Sequence, residues 1–507
     1  MKSETTIINL PGIITEKTFF KDTELDSPLP EFNPDISRLI KVDATPIIHS
    51  IECEDGVCEV RGNITFGMLY ETDYKNKIAY TAVDTDITQK IELKSSYSSI
   101  YPDANIKCLF LTCKLLGPRR FVIKAKIQID FKAVATNDEE AVDINTADIN
   151  VFYKTEDITM YKPFDRLEEE FRFRETAVTE KPIGSIITSN GSLSYPEIQN
   201  NNGSYNVKTV LTVKTLYEVE DTDNEYVHSI NTFPLVMNLD TPDNIDENDM
   251  NVSLELLNLS TVSDLDEYGE NRILNFDATV KMKTTFYEEV TASIAVDGFS
   301  GKNDYESDIA EISFDTLNNK NNKTFILEKN FTTDKIHIDE ILDTSCNFNI
   351  TDKSIEDNIL TIKGMVTYDV LTRSENSIAN QTFTSDFEET IPLDDIDLKL
   401  MSIHIFPFET TSSLYGSENI SIRTMCLIKP IAFANHQALY MKSFDIFDEC
   451  RNDNKRICFY YPENSENLWD IAKKYHQNPK RLKDNNKDAF DENGNIKKNL
   501  KYLAIKS

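Results

Sequence analysis

Six histidines, eight cysteines and an excess of carboxylates are the groups in this 507-residue chain that can do chemistry, and their spacing decides which chemistry is open to them. His49, His228, His337, His404, His436 and His476 are scattered with no ligand-like spacing. Cys53/Cys58 and Cys108/Cys113 repeat a C-x4-C interval of the kind a zinc site uses. Within a strand an offset of five sends two thiols to opposite faces, unless a turn intervenes, as the EDG after Cys53 allows. Only His49 lies near, and a chain this long needs no cross-links in a reducing cytosol. These cysteines therefore read as buried or half-buried free thiols, and no metal is expected. DTDNE (221–225) has the acidic start of a calcium loop but lacks its sixth-position Gly and twelfth-position Glu, and reads as a hairpin turn. No G-x-x-x-x-G-K-[ST], G-x-G-x-x-G, G-x-S-x-G or H-E-x-x-H stands in the chain. The expectation is a protein that is not an enzyme and takes no cofactor.

The elements that would position these groups are mostly strands. Three stretches read alike: VRGNITFGMLYETD (60–73), NVKTVLTVKTLYEVEDTD (206–223) and IKGMVTYDVLTRSEN (362–376). Each alternates apolar and polar residues and runs into a polar turn, the pattern of a strand entering a hairpin. Aligned on Leu69, Leu216 and Leu371, the copies lie 147 and 155 residues apart, a domain-sized interval. A return strand and a longer paired segment follow each copy in the same order. Closing patterns at Phe164, Phe299 and Phe444 divide the chain into 1–165 (with an N-terminal arm), 166–300 and 301–446. No helical crossovers separate the strands, so the fold class is mainly β: three tandem antiparallel, sandwich-like domains, then a small α+β module at 450–507. RLEEEFRFRE (166–175) reads either as a helical turn or two, or as a charged edge strand.

Composition narrows the partners. Fifty-three Lys and Arg against 86 Asp and Glu give a formal charge of −33, which repels nucleic acid and anionic lipid. The N-terminus lacks a basic n-region followed by an apolar stretch, and no apolar run reaches the ~20 residues of a membrane span. A cytoplasmic protein is expected. From Ile457 the balance reverses: 457–507 carries 10 Lys and Arg against 7 Asp and Glu.

That basic tail also holds the only Trp. ICFYY reads as a strand, with Pro462 breaking it and Ser465 or Asn467 offering an N-cap oxygen. Leu468, Ile471, Ala472 and Tyr475 recur at helical spacing, with Trp469 widening that face. Pro479 opens a second helix, and YLAI closes the module as a strand, giving the order βααβ. Ile457, Trp469, Leu468, Ile471, Leu482 and Leu503 are expected to form its thin core or border a docking face. A charge at Ile457 should unfold it. Trp469 is either a core anchor or an exposed contact.

SENLWDIAKKY (465–475) resembles the LysM consensus G-D-T-L-W-x-I-A-x-x-Y, with Asn486 at the later helical Asn and Leu503 and Ile505 at the closing L-x-I. The resemblance implies a groove for N-acetylglucosamine polymers near Ser465, Glu466, Asn467 and Asn486. Ser465, Glu466 and Asn467 depart from the consensus, the usual Gly and terminal Pro near the last strand are missing, and DAFDENGN looks like an inserted loop. These departures count against glycan binding.

Tandem β-domains followed by one such module resemble the SipL family of clostridial spore-coat morphogenetic proteins, similar in arrangement to SpoVID of bacilli. The resemblance implies a non-enzymatic scaffold in the mother-cell cytoplasm, at the forespore surface. Through the LysM module it would bind the coat ATPase SpoIVA, and beyond it other coat proteins. The alternative is a peptidoglycan-binding LysM protein attached to a cell-envelope structure.

Overall fold

The computed structural model describes the chain except residues 1–2, 75–76, 94–96, 98, 147–149, 202–203, 223, 243–244, 319–321, 334–336, 375–376, 394–397, 451–456, 464–465, 492–493, 498–501 and 507. It is mainly β, 80% strand and 4% helix, in several antiparallel sheets.

The first unit holds β1 (Thr5–Pro28), β2 (Ile36–Glu54), β3 (Val57–Thr72), β4 (Ile78–Glu92), β5 (Ser99–Gly117) and β6 (Arg120–Val142). One sheet runs β1-β6-β5, the other β2-β3-β4. Alternation along β3 and β6 aims Ile64, Phe66, Met68, Phe121, Ile123 and Ile127 into one core between the sheets.

The second unit repeats this plan with β7 (Val151–Val178), β8 (Ile183–Leu193), β9 (Glu197–Asn201), β10 (Ser204–Val219), β11 (Tyr226–Leu239), β12 (Met250–Leu265) and β13 (Asn271–Ser300). Its sheets are β12-β13-β7 and β11-β10-β8, with β9 also on β10. The segment 166–175 is edge strand, inside β7. Residues 152–165, read from sequence as the close of the first unit, also belong to β7 and pair with β13 of the second.

The third unit holds β14 (Asn303–Asn318), β15 (Lys323–Thr332), β16 (Glu340–Glu356), β17 (Ile359–Ser374), β18 (Ser377–Pro392), β19 (Leu398–Leu414) and β20 (Asn419–Cys450). β14 and β15 together take the place of β7 along β20, and the second sheet is β16-β17-β18.

Leu69, Leu216 and Leu371 occupy equivalent positions on the middle strands β3, β10 and β17. All three are buried in one cluster, joined there by Ile78, Tyr226 and Ile378 from the following strands and by Ile40, Ile187 and Leu342 from the preceding ones. Three sets of equivalent residues meeting in one place require an approximate threefold axis within the chain. The far end of the molecule repeats the device: Ile8, Ile158 and Ile312, with Leu10, Met160 and Phe314, form another shared cluster.

Polar groups beside the leucine cluster break the symmetry. Lys214 donates to the Asp343 carboxylate at 2.7 Å and to the Thr344 carbonyl at 2.8 Å, with the His228 ring 3.8 Å from the same carboxylate. Burial opposes the charge on Asp343, but Lys214 and His228 outweigh it and hold its pKa below the ordinary value. Burial likewise lowers the pKa of His228. These contacts tie β10 and β11 of the second unit to β16 of the third.

One sequence reading is corrected. Cys53 and Cys58 are joined in a disulfide. The turn at Asp55 and Gly56, both at positive φ, sets the two cysteines directly opposite in the β2–β3 hairpin. The turn cancels the strand parity that would have parted them.

Candidate functional site in the C-terminal module

The tail folds as β21 (Ile457–Tyr460), α1 (Leu468–Lys474), α2 (Pro479–Asn485) and β22 (Leu503–Lys506), with β21 and β22 paired antiparallel. Local chemistry explains each start. Asn467 caps α1 in a capping box: its side chain accepts from the Asp470 amide, and Asp470 accepts from the Asn467 amide. Asn478 caps α2, with Pro479 in the first turn.

Ile471, Leu482 and Leu503 are fully buried in the module's core, and Leu468 is partly buried against it. Ala489 and Phe490, inside the segment read as an inserted loop, are buried there too. Two apolar residues between acids were the available signal.

Ile457 is not core. It is 65% exposed, and a charge there buries nothing, so the expected unfolding does not follow. It stands on an outer face with Phe459, Tyr461 and Tyr502, all exposed, the rings of Phe459 and Tyr502 meeting edge-on at 5.1 Å. Sequence reading missed the other three residues; strand alternation from Ile457 was the signal for Phe459 and Tyr461.

Trp469 answers to neither sequence alternative as posed. It is half-buried, and its ring lies edge-on to Phe299, 5.1 Å away at the end of β13. Its Nε1 donates to Asp297 at 2.8 Å, and Lys473 Nζ donates to the other oxygen at 2.6 Å. His476 Nδ1 lies 3.0 Å from the Ser300 carbonyl. Phe299 is fully buried in the module's core, which Phe152 and Tyr305 also border. The module thus completes its core with residues of the β-body, and Trp469 is the hinge of that joint. Partial burial pushes the Asp297 pKa up, but Lys473, the Trp469 N–H and the Gly298 amide outweigh it and hold the carboxyl below its ordinary value.

The groove positions are largely occupied from within. Glu466 accepts from Tyr460 Oη at 2.6 Å and from the Glu463 amide at 3.0 Å, with Lys474 at 3.4 Å. Asn486 donates to the Leu482 and Ala504 carbonyls and accepts from the Ala504 amide, tying α2 to β22. Asn467 is spent on its cap, and Ser465 lies outside the described residues.

No group of His, Cys, Asp and Glu suited to a metal ion occurs among the described residues. No helix among them is long and apolar enough to cross a membrane. No curated protein and no solved structure matches the chain. Residues 337–408, which span the sheet β16-β17-β18 and enter β19, match the family model described as SipL, SPOCS domain, so that the third unit of this chain is SipL-like.

Proposed function

We propose that this chain is a non-enzymatic scaffold of spore-coat assembly, and that its C-terminal module is a LysM domain that binds the coat ATPase SpoIVA. The SipL-like third unit supports the sporulation role. The order βααβ and the LWDIAKKY helix support the LysM reading. On this reading the protein works from the mother-cell cytoplasm at the forespore surface, where it helps localise and encase the coat around the forespore.

The observation that carries protein binding is the outer face of β21 and β22. Ile457, Phe459, Tyr461 and Tyr502 stand exposed together on a module of about fifty residues. Exposed aromatic and aliphatic side chains in one patch favour a protein partner. Glycan recognition requires open polar groups in the groove, and here Glu466, Asn467 and Asn486 bond internally. The test is binding of the full chain to purified SpoIVA and, separately, to peptidoglycan. Saturable binding to SpoIVA alone supports the proposal; binding to peptidoglycan alone replaces it with the envelope reading.

A further inference from the structure

Where the three units meet around the threefold axis they line a cavity of about 560 Å³, partly open to solvent, with equivalent residues such as Ile106, Leu254 and Ile405 in its walls. That volume falls within the ~300–1,000 Å³ of small-molecule sites. Its charge runs against the rest of the chain. Lys107, Lys132, Arg166, Lys283 and Lys429 line it. The carboxylates among its lining residues are Asp103 and Glu255, and these pair with Lys132 at 3.1 Å and Lys283 at 3.0 Å. Arg166 pairs with Glu168.

Among the described residues Lys107 and Lys429 are the lining cations without a carboxylate partner, and Lys429 is the more deeply buried of the two. It is 9% exposed and donates to Tyr195 Oη at 2.8 Å and Asn251 Oδ1 at 3.2 Å; among the described residues it has no carboxylate partner. A buried ammonium held only by neutral acceptors is costly unless an anion joins it. His404, directly across the strand pair from Lys429, also lines the cavity. Burial and the positive field of Lys132 hold its pKa down at about 4, with Asp103 opposing and Lys107 and Lys429 adding to the positive side. Lys107, Lys132 and Lys429 thus gather around His404, while Ile106, Leu254, Ile405, Phe348 and Phe406 add apolar surface to the same cavity.

We infer that the axial cavity binds a small organic anion, its carboxylate or phosphate head held by Lys429 and Lys107 and its apolar body lying against the lining residues Ile106, Leu254 and Ile405. The site belongs to all three units at once, so the ligand would also bind the units together. This inference is independent of partner binding by the C-terminal module.

The test is calorimetric titration of the full-length protein with phthalate, which has two carboxylates on an aromatic body, and with inorganic phosphate, a head without a body. Phthalate should bind at one site per chain, more tightly than phosphate. Lys429→Met should weaken it about tenfold or more, as loss of a charge-assisted contact does, while Lys429→Arg keeps most of the affinity. Should Lys429→Met fail to fold, Lys107→Met, at a half-buried position, carries the same test. No phthalate binding at millimolar concentration, or binding unchanged in the folded Met variants, would overturn the inference. Phosphate binding as tightly as phthalate would overturn the apolar body.

Discussion

Asp297 and Trp469 carry the joint between the basic tail and the acidic body, and their behaviour can be read optically because Trp469 is the only Trp. Trp469→Glu sets a second carboxylate against Asp297 and removes the ring from Phe299. We expect it to cost roughly 2–4 kcal/mol at the joint. The module should swing free while Ile471, Leu482 and Leu503 keep its own core, so limited proteolysis should cut between body and module faster than within either. The pH dependence has a definite sign. Asp297 is depressed from its ordinary value of 3.8, so its contribution is complete above that value and is lost as pH falls through the lower folded-state pKa. Trp469 fluorescence should stay constant at neutral and mildly acidic pH and shift to the red only below 3.8. Release at mildly acidic pH would contradict the assignment of the joint to Asp297. From sequence, the helical spacing marked Trp469, Ile471 and Leu482 as one face. It was silent about Asp297 and Phe299, because contacts 172 residues apart leave no local pattern.

Among the elements, the hairpins were the most legible. VRGNITFGMLY and its two echoes alternate over most of their length, as a strand with one face in a core requires, and break the alternation near the leucines that also face the axis. The repeat also explains its glycines. A Cβ on Gly62 would lie 2.1 Å from the Ile47 carbonyl oxygen, and one on Gly364 2.3 Å from that of Asn349, each beside a bulge in the partner strand. The second unit has Thr209 at this position. There the partner is broken into β8 and β9, and Thr209 bonds into the break through the Ser194 carbonyl. Gly62→Ala and Gly364→Ala should therefore each cost about 1–3 kcal/mol in denaturant unfolding, since backbone must move. Thr209→Gly should cost less than a bulge-site alanine. Strand ends were less legible. Residues 152–165 were assigned to the first unit because their sequence closes a pattern, yet β7 runs through them into the second. The Cys53–Cys58 pairing was missed for another reason: disulfides were set aside on chain length and a reducing cytosol, although the EDG turn left the two cysteines free to meet.

For the whole molecule, the similar spacing of Leu69, Leu216 and Leu371 foretold three copies, but nothing in the spacing says that the copies meet on an axis. That is a property of the faces left over once each unit has closed its own core. Leu371→Ala at the axis should cost about 2–5 kcal/mol and loosen all three units in one transition, as hydrogen exchange would register. Lys214→Met strands the Asp343 carboxylate between units and should raise its pKa, so that stability lost at neutral pH is partly recovered in acid. Above this body stands the module with its exposed apolar face, and the role proposed for the chain rests on that face meeting SpoIVA. The direct measurement is the affinity of full-length Ile457→Glu for SpoIVA, with its thermal unfolding recorded alongside. Unfolding unchanged from wild type, with binding weaker by about 2 kcal/mol or more, roughly thirtyfold, is the expected result for a contact residue 65% exposed. Wild-type affinity in the folded variant would contradict the assignment of this face to the partner.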